Sequence, residues 1–174
     1  MLLILLIVLA REYVPNVIEP SFGIGRIFYC LVEHIYWSRP GDQVRGVLSF
    51  PPWLAPTQLL IVSLSSHPSF ASIVTPLATR IRRADISSSI DGSSTTIGKR
   101  YARNDELGVP FCIKVDFQSL KDGTITLRER DGMKQIRVTQ EEVIKVVKGI
   151  LKGRSTFDDA LAKFGEFQGQ ELDE

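Results

Sequence analysis

The dipeptide Asp131-Gly132, flanked on both sides by alternating residues, constrains this chain more than any other feature. Asp-Gly between two alternating runs is a strong signal for a two-residue hairpin turn. That turn pairs Arg130 with Met133, Glu129 with Lys134, Arg128 with Gln135, Leu127 with Ile136 and Thr126 with Arg137. Ile125, Leu127, Ile136 and Val138 then share one face, and Thr126, Arg128, Arg130, Gln135 and Arg137 share the other. Glu129 opposite Lys134 adds a favourable cross-strand pair. A slip of one residue would mix the two faces, so the register is well specified. The polar face suits phosphates and the edges of unstacked bases; the alternative is a solvated face of an antiparallel pair.

The surrounding region, 58–152, alternates in type. Leu59 to Leu64 is continuously apolar, as in a strand covered on both faces. Ser69 to Ala84 reads as a helix kinked at Pro76, and Ile86 to Asp91 as a short strand. Thr95 or Thr96 can cap a helix that runs to Leu107 and stops at Gly108. Phe111, Ile113, Val115 and Phe117 alternate with polar residues or cysteine in a half-buried strand. Thr139-Gln140-Glu141-Glu142 is a capping box, opening a helix that turns Val143, Val146, Val147, Ile150 and Leu151 inward. The order β-α-β-α-β-β-α predicts an α/β fold: a mixed sheet with helices on its faces. The acidic stretch 153–174 reads as a peripheral tail.

A separate unit, 1–38, precedes this region. Arg11 to Val14 reads as a strand. Ile24, Ile27, Phe28, Leu31, Val32, Ile35 and Tyr36 recur at helical spacing, with Ser21 as N-cap and Arg39-Pro40-Gly41 as the stop. Residues 39–57 hold Pro40, Pro51, Pro52 and Pro56, which favour extended backbone, so a linker and domain boundary belong there. Leu2 to Ala10 is apolar throughout but far shorter than the roughly 20 residues that span a bilayer. It also lacks the basic start of a secretory signal. It reads as a buried strand or as a start placed inside a longer gene, and no membrane partner is expected.

The net charge is only +1 over 174 residues, so affinity for nucleic acid must come from a local patch. Cys30 and Cys112 stand far apart without metal-ligand spacing, which argues against a zinc site and suits a reducing compartment. Two clusters supply local charge. Lys99, Arg100 and Arg103 share one side of the helix after Thr96. Lys99 and Arg100 lie in its first turn, where the helix dipole disfavours cations by roughly 0.3–1 kcal/mol each. That cost points to an anion nearby or to internal partners such as Asp105 and Glu106. Arg26, beside Gly23 and Gly25 at the start of the first helix, could hold a phosphate. A dinucleotide fold is excluded there, since Phe28 occupies the third glycine position.

The segment Glu19-Pro-Ser-Phe-Gly-Ile-Gly-Arg26 resembles motif 3 of class II aminoacyl-tRNA synthetases, in the form found in eukaryotic and archaeal glycyl-tRNA synthetases. The similarity continues through Phe50-Pro-Pro-Trp-Leu-Ala-Pro56. It is most specific in Thr96-Ile-Gly-Lys-Arg-Tyr-Ala-Arg-Asn-Asp-Glu-Leu-Gly-Val-Pro-Phe111, Thr126-Leu-Arg-Glu-Arg-Asp131 and Lys134-Gln-Ile-Arg137. It covers nearly everything from Glu12 to about Phe167, with fungal members looking closest.

The resemblance implies a mixed five-stranded sheet flanked by helices, the anticodon-binding domain, preceded by a strand-helix remnant of the catalytic domain. It implies a glycine-tRNA ligase as the parent: ATP with Mg2+, glycine and tRNA(Gly) as ligands, a homodimer, and a cytoplasmic or mitochondrial location. Glu19 and Ser21 would contact the amino group of glycine, and Gly23, Gly25 and Arg26 would hold ATP. Lys99, Arg100, Arg103, Arg128, Arg130, Gln135 and Arg137 would contact the anticodon arm, with Phe111 as a stacking ring or a core residue. Departures from the pattern are Gln58 for lysine, Gly92 for a second aspartate and Cys112 for glycine. Motifs 1 and 2 are absent, so no aminoacylation is expected from this chain alone. A stand-alone RNA-binding module or accessory subunit built on the same domain is the alternative.

Overall fold

The computed structural model describes residues 12–65 and 67–169. The apolar run Leu2–Ala10 lies outside them, as does Arg11 of the first expected strand. Residues 12–23 have no regular structure, which corrects the strand expected over 11–14. Helix α1 (Ile24–Ile35) follows, with Gly23 rather than Ser21 at the N-cap.

Strand β1 (Tyr36–Arg39) leaves α1 directly and pairs antiparallel with β2 (Asp42–Leu48). Pro40-Gly41, with Gly41 at φ +82°, makes the turn. Proline at the first central position and glycine at positive φ at the second suit a type II turn. The prolines that signalled an extended linker over 39–57 are thus, in part, the turn of a hairpin.

The main sheet comprises β3 (Leu59–Ser63), β4 (Ser88–Asp91), β5 (Phe111–Val115), β6 (Thr124–Glu129) and β7 (Gln135–Thr139). Its order is β4-β3-β5-β6-β7, with β3, β4 and β5 parallel and β6 and β7 antiparallel. This is the mixed five-stranded sheet expected. The helices between and after the strands are α2 (Ala71–Arg83), α3 (Ile97–Glu106), α4 (Phe117–Asp122), α5 (Gln140–Leu151) and α6 (Phe157–Phe164).

Alternation sends the side chains of each strand to opposite faces. Leu59, Ile61, Ile113, Leu127 and Ile136 join α2, α5 and α6 in the main core, while Leu60, Val62 and Cys112 pack under Ile97 and Tyr101 of α3. β5 is therefore buried on both faces rather than half-buried. Phe111 belongs to the core.

The hairpin β6–β7 has the expected register: Arg128 opposite Gln135, Leu127 opposite Ile136, Thr126 opposite Arg137. Its turn differs. Glu129 N–H donates to Lys134 O (3.0 Å), closing a four-residue loop with Met133 at φ +57°. Arg130 N–H donates instead to Pro110 O (3.0 Å). The Glu129 carboxylate accepts from the N–H groups of Asp131 and Gly132 (both 2.7 Å), while Lys134 reaches Asp158 (3.4 Å). The expected Glu129–Lys134 pair is replaced by these two contacts.

Two helices run where none was expected. Asp116 does not continue β5. It caps α4 through a capping box with Ser119, leaving Phe117 largely exposed. The stretch expected to be a tail carries α6, opened by a second box between Thr156 and Asp159. Ala160 is buried, Phe157 stacks near Phe111, and Phe167 N–H donates to Gln135 O (2.7 Å).

The α4 region carries an acid-sensitive pair of carboxylates. Burial pushes the Asp116 carboxyl up, but bonds from Arg137 (2.9 and 3.1 Å) and Ser119 outweigh it and hold it below the usual carboxylate range. Thr124 and Gln118 donate to Asp122 and pull it down to about 2. A folded pKa below the unfolded one stabilises above the unfolded value, and that contribution fades as pH falls through the folded one. Urea midpoints should therefore hold down to about pH 4 and decline towards pH 2. Asp122→Asn should remove the lowest-pH part of that decline.

Candidate nucleic-acid interface

The polar face of β6–β7 lies on the α3 side of the sheet, and acids from other elements cover it. Arg128 forks onto Asp105 of α3, Nη1 to Oδ1 and Nη2 to Oδ2 (both 3.2 Å), and sits 4.5 Å over the Tyr101 ring. Arg137 forks onto Asp116 and lies 5.4 Å over Phe167. Arg130 donates to Gly108 O (3.0 Å), Phe50 O (3.2 Å) and Asp131 (2.7 and 2.8 Å). Two-pronged charged bonds of this kind fix geometry strongly. Among the candidate residues, Arg128 and Arg130 are buried and Arg137 is mostly covered; their first role is to hold elements together.

The hairpin β1–β2 docks onto the same face. Arg39 Nη2 donates to Asp105 Oδ2 (2.8 Å) and Arg130 O (2.6 Å), and Nη1 to Asp131 O (3.1 Å). Trp37 Nε1 donates to Ser49 Oγ (2.6 Å), which donates to Asp131 (2.6 Å). Burial raises the Asp131 carboxyl, but the bonds from Arg130 and Ser49 lower it more.

Between this hairpin and α3 runs a cleft of about 620 Å³, lined by Trp37, Arg39, Arg45, Tyr101, Arg128 and Gln135 among others. Two aromatic rings, Trp37 and Tyr101, stand in its walls beside guanidinium groups that are anchored on Asp105. Aromatic and guanidinium planes stack unpaired bases. Burial raises both the Tyr101 hydroxyl and the Cys112 thiol, so each keeps its proton.

The second cluster divides. Arg103 pairs with Asp91 and also reaches Ser93 (3.2 Å). Arg100 is buried, its Nη1 donating to Ser63 O (2.8 Å). Lys99 is exposed, with no hydrogen bond or ion pair among the described residues. Gln135 lies at the rim of the cleft.

Glu19, Ser21, Gly23, Gly25 and Arg26 are all exposed. The structure brings neither of the two presumed substrate contacts, Glu19 and Ser21, against another element. In the apolar stripe of α1, Leu31, Val32 and Ile35 are half-buried, while Ile24, Ile27 and Phe28 are exposed, Phe28 stacking near Phe50 (6.4 Å).

Trp37, Arg39 and Tyr101 were not among the candidates. The signal was the alternation Tyr36-Trp37-Ser38-Arg39, half-buried at Trp37 and Arg39, which the following prolines masked.

A family model described as "Anticodon binding domain" matches residues 58–150. The putative glycine–tRNA ligase of Schizosaccharomyces pombe is 58% identical over 158 residues, 91% of this chain and 24% of that protein. Glycine–tRNA ligase 1, mitochondrial, of Saccharomyces cerevisiae is 50% identical over 160 residues, 92% of this chain and 23% of that one. The glycine–tRNA ligase of Bombyx mori is 43% identical over 162 residues, 92% of this chain and 22% of its own. The chain thus spans about a quarter of the length of these relatives. Among solved structures, a prolyl-tRNA synthetase from Cryptosporidium parvum, complexed with L-proline and AMP, aligns with a TM-score of 0.57 at 22% identity, over 71% of this chain and 25% of that one. The RNA binding domain of threonyl-tRNA synthetase from the same organism gives 0.54 at 23% identity, over 59% and 25%. At these identities the likeness is one of fold.

Proposed function

Since this chain belongs to the anticodon-binding domain family, we propose that it reads the anticodon arm of tRNA(Gly) as part of a glycine-tRNA ligase. The observation that carries this reading is the cleft between the β1–β2 hairpin and α3, with Trp37 and Tyr101 in its walls and Gln135 at its rim. An unstacked anticodon base fits such a cleft: the rings offer stacking, and the Gln135 amide offers a donor and an acceptor to a base edge. Lys99 and Arg103, on the outer side of α3, take the flanking backbone.

The buried arginines serve this reading indirectly. Arg128, Arg130 and Arg137 fix the cleft's shape through Asp105, Asp131 and Asp116. In the parent enzyme the small substrates are glycine and ATP with Mg2+, and the enzyme is a homodimer. It works in the cytoplasm, with a mitochondrial form, as the name of one yeast relative suggests. The residues this chain offers to that chemistry, Glu19, Ser21, Gly23, Gly25 and Arg26, lie open around the start of α1 and do not by themselves enclose a nucleotide.

Binding of tRNA transcripts with glycine and non-glycine anticodons tests the reading. The chain should prefer the glycine anticodon. Gln135→Ala should weaken that complex by about 5- to 100-fold, the range of one base-edge contact. It should leave the other transcript almost unchanged. Lys99→Ala should weaken both alike and lower the salt dependence, as loss of a phosphate contact does. Equal affinity for both transcripts in the unsubstituted chain would overturn the reading.

A further inference from the structure

A second crevice, of about 320 Å³, lies at the carboxyl ends of β3 and β4 and has no role in the reading above. It is lined by Leu64 and Ser65 after β3, by Ser93 to Thr96 before α3, and by Arg100. Chain leaving β3 turns to α2 on one face of the sheet, while chain leaving β4 turns to α3 on the other. Open α/β sheets bind ligands at such a switch point, outside the carboxyl ends of their strands.

The start of α3 is built unusually for a helix without a ligand. Thr96 makes no side-chain cap and the first turn holds no acidic residue. The helix N-terminus carries a partial positive charge, yet Lys99 and Arg100 are placed there. Arg100 is only 4% exposed, fixed by Nη1 to Ser63 O (2.8 Å) and Asp91 O (3.4 Å), and its Nε is buried without a partner. Burying an unpaired donor of a charged group is costly. Asp91 does not neutralise the crevice. Burial raises its carboxyl, but Ser93 and Arg103 lower it more, and they occupy its oxygens. Positive charge from Arg100 is left over, facing hydroxyl groups and uncapped N–H groups.

We propose that this crevice binds a phosphate group. Its oxygens accept from the first N–H groups of α3, from the Arg100 guanidinium and from the hydroxyls of the Ser93–Thr96 loop. Backbone N–H groups, a helix N-terminus and an anchored arginine together form an anion site. The occupant in the cell is a backbone phosphodiester of the bound tRNA. That assignment of source rests on the function proposed above; the site itself rests on the geometry of β3, β4 and α3.

The test uses the whole chain and two probes. The first is inorganic phosphate, titrated at constant ionic strength while the Gly98 and Lys99 amide resonances are followed by NMR. They should shift saturably with phosphate and not with chloride. Thr96→Asp places a carboxylate at the N-cap, where aspartate caps at least as well as threonine. Thr96 lines this crevice and not the cleft. The variant should fold with an unchanged or higher Tm and lose the phosphate shifts, while Thr96→Ser should keep them.

The second probe is a tRNA anticodon stem-loop. Thr96→Asp should weaken its binding about 5- to 30-fold and reduce the slope of log K against log salt by about one contact. No saturable shift with phosphate, or an unaltered shift in Thr96→Asp, overturns the site. Phosphate binding with RNA affinity unchanged in Thr96→Asp overturns the RNA source and points to a small phosphate ligand. If the unsubstituted chain binds no RNA, the proposed function fails, and the phosphate titration still decides the site.

Discussion

Asp105→Ala is expected to destabilise the fold by about 3–5 kcal/mol, the range for breaking a buried ion pair by removing one partner. Asp105 is the common acceptor of two guanidiniums: Arg128 from β6 at 3.2 Å and Arg39 from β1 at 2.8 Å. Its side chain is 8% exposed and that of Arg128 7%. Water cannot easily replace the carboxylate, so Arg128 would remain buried without its counter-ion. The lowered urea midpoint should come with an unchanged m value, since the folded shape is kept.

Two comparisons isolate the cause. Asp158→Ala removes the partner of Lys134 (3.4 Å), but Asp158 is 83% exposed, so the loss should stay below about 1 kcal/mol. Adding Arg128→Met to Asp105→Ala should recover part of the stability, because the orphaned charge goes too. A loss below about 1 kcal/mol for Asp105→Ala would mean that the guanidiniums find water, and that the Arg39–Asp105–Arg128 cluster does not hold the elements together. The same substitution frees Arg39 and loosens the β1–β2 hairpin, so RNA affinity should fall with stability.

Gly108→Ala is the second large effect, at about 2–5 kcal/mol. Gly108 follows the α3 C-cap at φ +75°, where an alanine costs roughly 1–2 kcal/mol. Space adds a further cost. A Cβ built there would overlap the buried Phe50 ring and lie 3.0 Å from Leu48 O. Overpacking of this kind costs typically 1–3 kcal/mol. Gly153, at φ +64°, has open space around it, so Gly153→Ala should show the conformational cost alone. Thermal unfolding of the two variants separates the terms. Equal losses would show that the 48–50 segment yields freely, and that it does not pack firmly against the end of α3.

These two sites mark where sequence reasoning stopped. Alternation around Asp131-Gly132 was enough to set the β6–β7 register, because any slip would have exposed Leu127 and Ile136. The box at Thr139 and Glu142 set the start of α5, with Glu142 N–H donating to Thr139 Oγ1 (3.3 Å) and Thr139 N–H to Glu142 (3.1 Å). The boxes opening α4 and α6 depart from the usual sequence pattern. Asp116 with Ser119 and Thr156 with Asp159 lack the usual glutamate or glutamine, and alternation through Phe117 imitated a longer strand. The hairpin β1–β2 was hidden by prolines that signal a turn as readily as a linker.

The basic residues show the sharper division. From sequence, Arg128, Arg130, Arg137, Arg100, Arg103 and Lys99 are six equivalent cations. In the fold most of them are occupied, because acids distant in sequence arrive opposite them: Asp105 from α3, Asp116 from the start of α4, Asp91 from the end of β4. The chain by itself determined the five strands of its main sheet, the β6–β7 register and its family, since these depend on local periodicity and on contiguous motifs. Only the tertiary structure decided which charges hold the fold together and which remain for a ligand. Pairing depends on distances across the sheet, and linear spacing carries no measure of those.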